Sequence, residues 1–150
     1  VKYTLCFLKK ENEVLMLLRA KEPNKGKWNG VGGKIEISET PDEGCKREVL
    51  EETGLILRKQ IFKGLIALNG NECIYVFVSN DFEGDLIPSE EGSLEWKSME
   101  WILSSRDVVE NIPLFIEDVL DISSEPKVYN CSYSETGEMT GFHVKLFQTN

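Results

Sequence analysis

Apolar and polar positions along the chain fall into short alternating stretches, which predict strands more often than helices. Residues 2–9 read as a strand, residues 10–12 as a polar turn, and residues 13–18 as the returning arm of a hairpin. Residues 19–34 are cationic and glycine-rich, a loop leading into a short strand. Residues 60–68 and 72–79 form a second pair of strands, joined by Asn69-Gly70-Asn71, a sequence suited to a tight hairpin turn. The stretch 81–95 is acidic and loop-like, residues 94–97 add a short strand, and a helical segment begins near Glu100. Pro113 suits the first turn of a helix that carries Leu114, Phe115, Ile116, Val119, Leu120 and Ile122 on its apolar positions. Residues 128–132 and 140–148 read as a last pair of strands around the turn Glu135-Thr136-Gly137-Glu138. Hairpins combined with amphipathic helices predict an α+β fold with helices layered on a sheet.

The best-signed helix begins after Thr40. Pro41 stands at its first position and Glu43 at its third, so Thr40 and Glu43 are placed to satisfy each other's exposed amides. Cys45, Val49 and Thr53 mark one side, and Gly54 supplies a left-handed stop. Glu51 and Glu52 lie three and four positions beyond Glu48, which puts the three carboxylates within an arc of about 100°. Such a cluster repels itself unless a bound cation, or solvent with basic partners on an exposed helix face, compensates it. Magnesium, a hard ion that accepts oxygen ligands together with substrate phosphate, suits it; Lys46 and Arg47 are the alternative partners on a solvated face.

Charge narrows the partners. Seventeen Lys and Arg stand against 26 Asp and Glu, a net charge of −9 over 150 residues. This disfavours a general DNA or RNA backbone binder and a membrane-surface protein, but not a small phosphorylated ligand bridged by metal. The length suits one domain spanning 1–150. Cys6, Cys45, Cys73 and Cys131 lack metal-site spacing and read as free, mostly buried thiols. One histidine, His143, cannot supply a histidine metal cluster. No apolar run reaches membrane length, and a cytoplasmic protein is expected, as a monomer or a homodimer.

The loop before the acidic helix adds chemistry. Asn29-Gly30-Val31-Gly32-Gly33 permits close backbone approach, and Lys27 and Lys34 offer phosphate contacts. The lysine-serine or lysine-threonine ending of a P-loop is absent, as is a Gly-x-Gly-x-x-Gly turn. The run Gly33 to Leu55 resembles a complete Nudix box: Gly33, Glu39 after five residues, Arg47-Glu48 after seven more, Val49, Glu51-Glu52, Gly54 and Leu55.

The resemblance implies a Nudix-type α/β/α sandwich with a mixed sheet and a MutT-like hydrolase of a nucleoside diphosphate linked to a further group. It implies Mg2+, or Mn2+, held by Glu48, Glu51 and Glu52 with a carbonyl from the Gly33 turn. Arg47 would orient the acids and Glu39 would support them. A further carboxylate beyond the box is matched by Glu91, with Glu90 beside it, and either Glu48 or Glu91 takes the role of general base. Residues 27–34 resemble the corresponding segment of enzymes that clear oxidised purine nucleoside triphosphates. Asn29 would then read a purine edge, Lys34 would assist phosphate, Trp28 would support the loop or pocket, and Asp107 would match a pocket acid, although Val108 replaces a second one. The leading expectation is hydrolysis of a nucleoside triphosphate, foremost 8-oxo-dGTP, to the monophosphate and pyrophosphate. ADP-ribose, dinucleoside polyphosphates and capped RNA are alternatives, and a noncatalytic nucleotide sensor or interaction protein is the alternative of another class.

Overall fold

A computed structural model describes residues 2–148. Its strands are β1 (Lys2–Lys10), β2 (Glu13–Arg19), β3 (Trp28–Asn29), β4 (Val31–Lys34), β5 (Ile56–Leu68), β6 (Glu72–Glu83), β7 (Gly92–Ser98), β8 (Lys127–Tyr133) and β9 (Met139–Leu146). The helices are α1 (Pro41–Thr53), α2 (Met99–Ser104) and α3 (Ile112–Leu120). The strands run in the order β3-β2-β1-β6-β5-β8-β9, with β4 on β1 and β7 on β2. The β1–β6 and β5–β8 pairs are parallel and the others antiparallel, so the sheet is mixed.

Strand alternation divides the core into two layers. Leu5, Phe7, Val14 and Met16 pack with Ile112, Phe115, Ile116 and Val119 on the α3 side, whereas Cys6, Leu8 and Leu15 pack with Cys45 and Val49 of α1. The result is the expected α/β/α sandwich. Three of the cysteines are buried and all four are free. Among the described residues no helix is long and apolar enough to cross a membrane.

The stretch 81–95 departs from its reading as a loop. Strand β6 runs to Glu83 because Phe82 pairs with Leu57, and Arg58 on β5 holds Asp81 and Glu83 at 3.7 and 3.3 Å. Strand β7 begins at Gly92 and pairs along the whole of β2. Cross-strand ion pairs turn what looked like acidic loop composition into the solvated face of a strand. At the other end, α3 stops at Leu120 rather than Ile122, because Asp121 adopts an extended conformation and its amide closes on Glu117 and Asp118.

Candidate active site

The signals at both ends of α1 form as the sequence indicates. Thr40 Oγ1 accepts from the Glu43 amide at 3.2 Å, Glu43 Oε1 accepts from the Thr40 amide at 2.8 Å, and Gly54 ends the helix at φ 81° with its amide bonded to Leu50. Cys45, Val49 and Thr53 are buried, which points Glu48 and Glu52 along the rim of the sheet. There β4 brings Gly33 against Glu48: a Cβ on Gly33 would lie 2.5–2.6 Å from the Glu48 carboxyl. Gly32 is required for another reason, since its Cβ would fall 1.9 Å from the Thr4 carbonyl oxygen on β1.

Arg47 gathers the acids beneath this rim. Its Nε and Nη2 donate to Glu39 at 2.5 and 2.9 Å, its Nη1 to Glu48 at 2.8 Å and Glu51 at 3.2 Å, and Nη2 also to the Lys34 carbonyl at 3.0 Å. These hydrogen bonds hold the Glu39 carboxyl below the usual carboxylate range. Burial pushes Glu48 above it, against the pull of Arg47. Burial likewise raises Glu52, whose Oε2 accepts from Ser89 Oγ at 2.7 Å and whose neighbours Glu91 and Glu48 add repulsion.

Glu48, Glu52 and Glu91 line one cleft of about 480 Å³, together with Arg19, Thr4, Gly33 and Lys34. Glu51 does not: it lies with Arg47 over a separate hollow beside residues 34–38. Among the described residues no three acids stand together at metal-ligating spacing, because Arg47 engages Glu48 and Glu51 while Ser89 engages Glu52. The donor set still fits a hard divalent cation. Two half-buried carboxyls and Glu91 share the cleft, Gly33 leaves room for Glu48 beside the backbone, and the buried Thr4 hydroxyl in the same wall has no hydrogen-bond partner among the described residues.

The cleft continues into a second hollow of about 600 Å³ through shared walls that include Leu5, Asn29, Leu68 and Ile74. Its far wall is remote in sequence. The Trp28 amide donates to the Asp107 carbonyl at 2.8 Å and Val109 donates back to Trp28 at 2.9 Å, which docks residues 107–111 alongside β3. Asn111 caps α3 by position yet makes no side-chain cap bond; its Nδ2 donates instead to the Tyr133 hydroxyl on β8 at 3.2 Å. Burial raises the Tyr133 phenol to about 12, so it remains a hydrogen-bond donor at neutral pH.

The expected substrate residues separate here. Asn29 lines both hollows, its Oδ1 bonded to the Gly30 amide at 2.8 Å. Lys27 lines the second hollow with its amine on the Arg106 carbonyl at 3.0 Å, and Lys34 lines the first. Trp28 is buried, edge-on to Trp101 with Lys97 4.5 Å above its ring, so it supports the loop from behind. Asp107 lies outside both linings and contributes its backbone carbonyl, while its side chain is solvent-facing at an exposed position. Arg19, Asn111, Tyr133 and Ser89 carry no local motif. The turn of Asn111 away from the helix has no sequence signature.

The NUDIX domain pattern matches residues 2–117. The chain is 31% identical over 105 residues to the oxidized purine nucleoside triphosphate hydrolase of Mus musculus, covering 67% of each chain. It is 32% identical over 84 residues to the ADP-ribose pyrophosphatase of Methanocaldococcus jannaschii, covering 53% of this chain and 50% of that one. A crystal structure of the MutT protein from Bacillus halodurans superimposes with a TM-score of 0.83 at 26% identity, covering 95% of this chain and 96% of that one. With the fold, the box geometry and these likenesses in agreement, the chain belongs to the NUDIX family and is a Nudix-type pyrophosphohydrolase.

Proposed function

We propose that the protein hydrolyses nucleoside triphosphates to the monophosphate and pyrophosphate and that its substrate is an oxidised purine nucleotide, 8-oxo-dGTP. The observation that carries this reading is the continuity of the acidic cleft with a hollow walled by Asn29, Asn111 and Tyr133. Guanine presents acceptors at N7 and O6. Oxidation at C8 places a hydrogen on N7, so that edge gains a donor between two carbonyl acceptors. Asn111 offers its Oδ1 as an acceptor beside the Tyr133 hydroxyl, a pairing that favours the oxidised edge and opposes the unmodified one. The mouse relative, named for oxidised purine nucleoside triphosphates, supports the same choice.

Glu48, Glu52 and Glu91, with the Gly33 carbonyl, are the residues that would hold Mg2+ or Mn2+, which when bound would offset phosphate charge and organise the attacking water, while Glu51 stays with Arg47 over the separate hollow. Arg19 and Lys34 contact the phosphates from the cleft walls. Glu91 takes the water proton: among the described residues its side chain is engaged only by Arg19 at 3.9 Å, whereas Glu48 already accepts from Arg47 at 2.8 Å. The water oxygen joins phosphorus, the α–β bridge opens, and pyrophosphate departs. Arg47 positions Glu48 from below. A catalytically silent sensor would have no use for this set of carboxylates, and ADP-ribose is the competing substrate favoured by the archaeal likeness.

Comparing kcat/KM for 8-oxo-dGTP and dGTP tests the reading. The oxidised nucleotide is expected to be preferred, and Asn111→Ala to erase about ten- to a hundred-fold of that preference, the scale of one paired base-edge contact. Equal discrimination by wild type and variant would remove Asn111 from substrate choice.

A further inference from the structure

The segment between β6 and β7 carries Glu91 to the cleft and is fastened at both ends by its backbone. The Ile87 amide donates to the Thr53 carbonyl at the end of α1, and the Glu91 carbonyl accepts from the Ala20 amide after β2, each at 2.9 Å. Between these points, among the described residues, a single side-chain hydrogen bond joins the segment to α1, from Ser89 Oγ to Glu52 Oε2 at 2.7 Å. The same hydroxyl oxygen accepts from the Glu91 amide at 3.1 Å. That second bond is an ordinary Ser turn and accounts for a serine in a loop. The donation to Glu52 is not required by the turn. It orients a flexible carboxylate that Glu91 repels across the shared cleft.

The geometry points to Ser89 as a positioning residue for the hydrolysis: its one hydroxyl locks the helix carboxylate Glu52 to the backbone of the loop carboxylate Glu91, so that the two present to substrate as a unit. This rests on the cleft being the hydrolytic site. A hydroxyl has one proton and accepts through its lone pairs, so Ser89 meets both demands at once and alanine meets neither.

The test uses Ser89→Ala and Ser89→Thr in the full chain, with circular dichroism to confirm folding. Mn2+ affinity is read by spin-resonance titration without nucleotide, and kcat and KM are measured separately with 8-oxo-dGTP. Ser89→Ala is expected to lower Mn2+ affinity and kcat by about 10–100-fold, the usual loss when a partner of a metal ligand is removed, with KM nearly unchanged. Ser89→Thr, which keeps the hydroxyl, is expected to restore most of both. Adding Ser89→Ala to Glu52→Gln is expected to cost no further Mn2+ affinity. Native kcat and Mn2+ affinity in the alanine variant, equal impairment of the alanine and threonine variants, or full additivity with Glu52→Gln would each overturn the proposal. A wrong substrate assignment would show separately, as absent wild-type turnover beside an intact Mn2+ response to Ser89.

Discussion

The two ends of the substrate groove are built differently. At the acidic end, Gly33, Glu39, Arg47, Glu48 and Glu52 come from one unbroken run of chain, and helical spacing brings most of them together. At the far end, Asn29, Asn111 and Tyr133 come from β3, the start of α3 and β8, and meet only once the sheet is complete. On the proposed function, most of the reaction chemistry rests on a local motif, completed by Glu91 from the segment before β7, whereas selectivity rests on tertiary placement. On that reading, the phosphate chemistry common to every substrate is served mainly by one run of chain, and the base, which differs between substrates, is left to residues from separate elements.

The largest effect expected from this division follows Glu52→Gln. Turnover should fall about 10³-fold, on the scale of deleting one preorganised electrostatic group. The loss should be the same for 8-oxo-dGTP and dGTP, because Glu52 serves the shared end. A change in selectivity as large as the change in rate would break the separation of the two ends.

Gly33→Ala is expected to come next. Its new Cβ meets the end of the Glu48 side chain rather than backbone, at 2.5–2.6 Å, so the fold should survive while displacement of that carboxylate costs about 10²-fold in kcat. Its neighbour behaves oppositely. Gly32→Ala drives a Cβ against the Thr4 backbone at 1.9 Å, which forces β4 away from β1 and should lower the melting temperature by roughly 3–10 °C. Loss of stability without loss of rate at Gly33 would mean that its smallness serves the strand rather than Glu48.

The smallest expected effect concerns pH. The folded state raises the Glu48 and Glu52 carboxyls, principally by burial, so it retains protons that the unfolded chain releases. Stability of the metal-free protein should accordingly decline as pH rises from the ordinary carboxylate range through the raised values. Glu52→Gln removes part of that decline and should melt about 2 °C higher than wild type at neutral pH without metal, the partial exposure of the group limiting the gain. Parallel melting curves of wild type and variant from acid to neutral pH would contradict this.

The legibility of the sequence follows the same division. The helix caps, the buried face of α1, the Arg47 cluster and the layered fold rest on interactions within a few residues or on strand alternation, and both leave patterns in the chain. Residues 81–95 concealed two strand ends because Arg58, more than twenty residues away, neutralises Asp81 and Glu83. Asp107 resembled a pocket acid by position, yet it docks the segment to Trp28 through its backbone carbonyl while its side chain stands at an exposed position. Asn111 occupies the cap position of α3, yet its amide turns toward β8, which nothing in the sequence announces. Each of these depends on a partner that adjacency cannot disclose.

The most direct measurement identifies the products formed from 8-oxo-dGTP, dGTP, ADP-ribose, a dinucleoside polyphosphate and capped RNA, with and without Mg2+, by phosphorus resonance. The account predicts Mg2+-dependent conversion of 8-oxo-dGTP to the monophosphate and pyrophosphate ahead of every other compound. Release of inorganic phosphate and a diphosphate, or faster cleavage of ADP-ribose than of 8-oxo-dGTP, would contradict it.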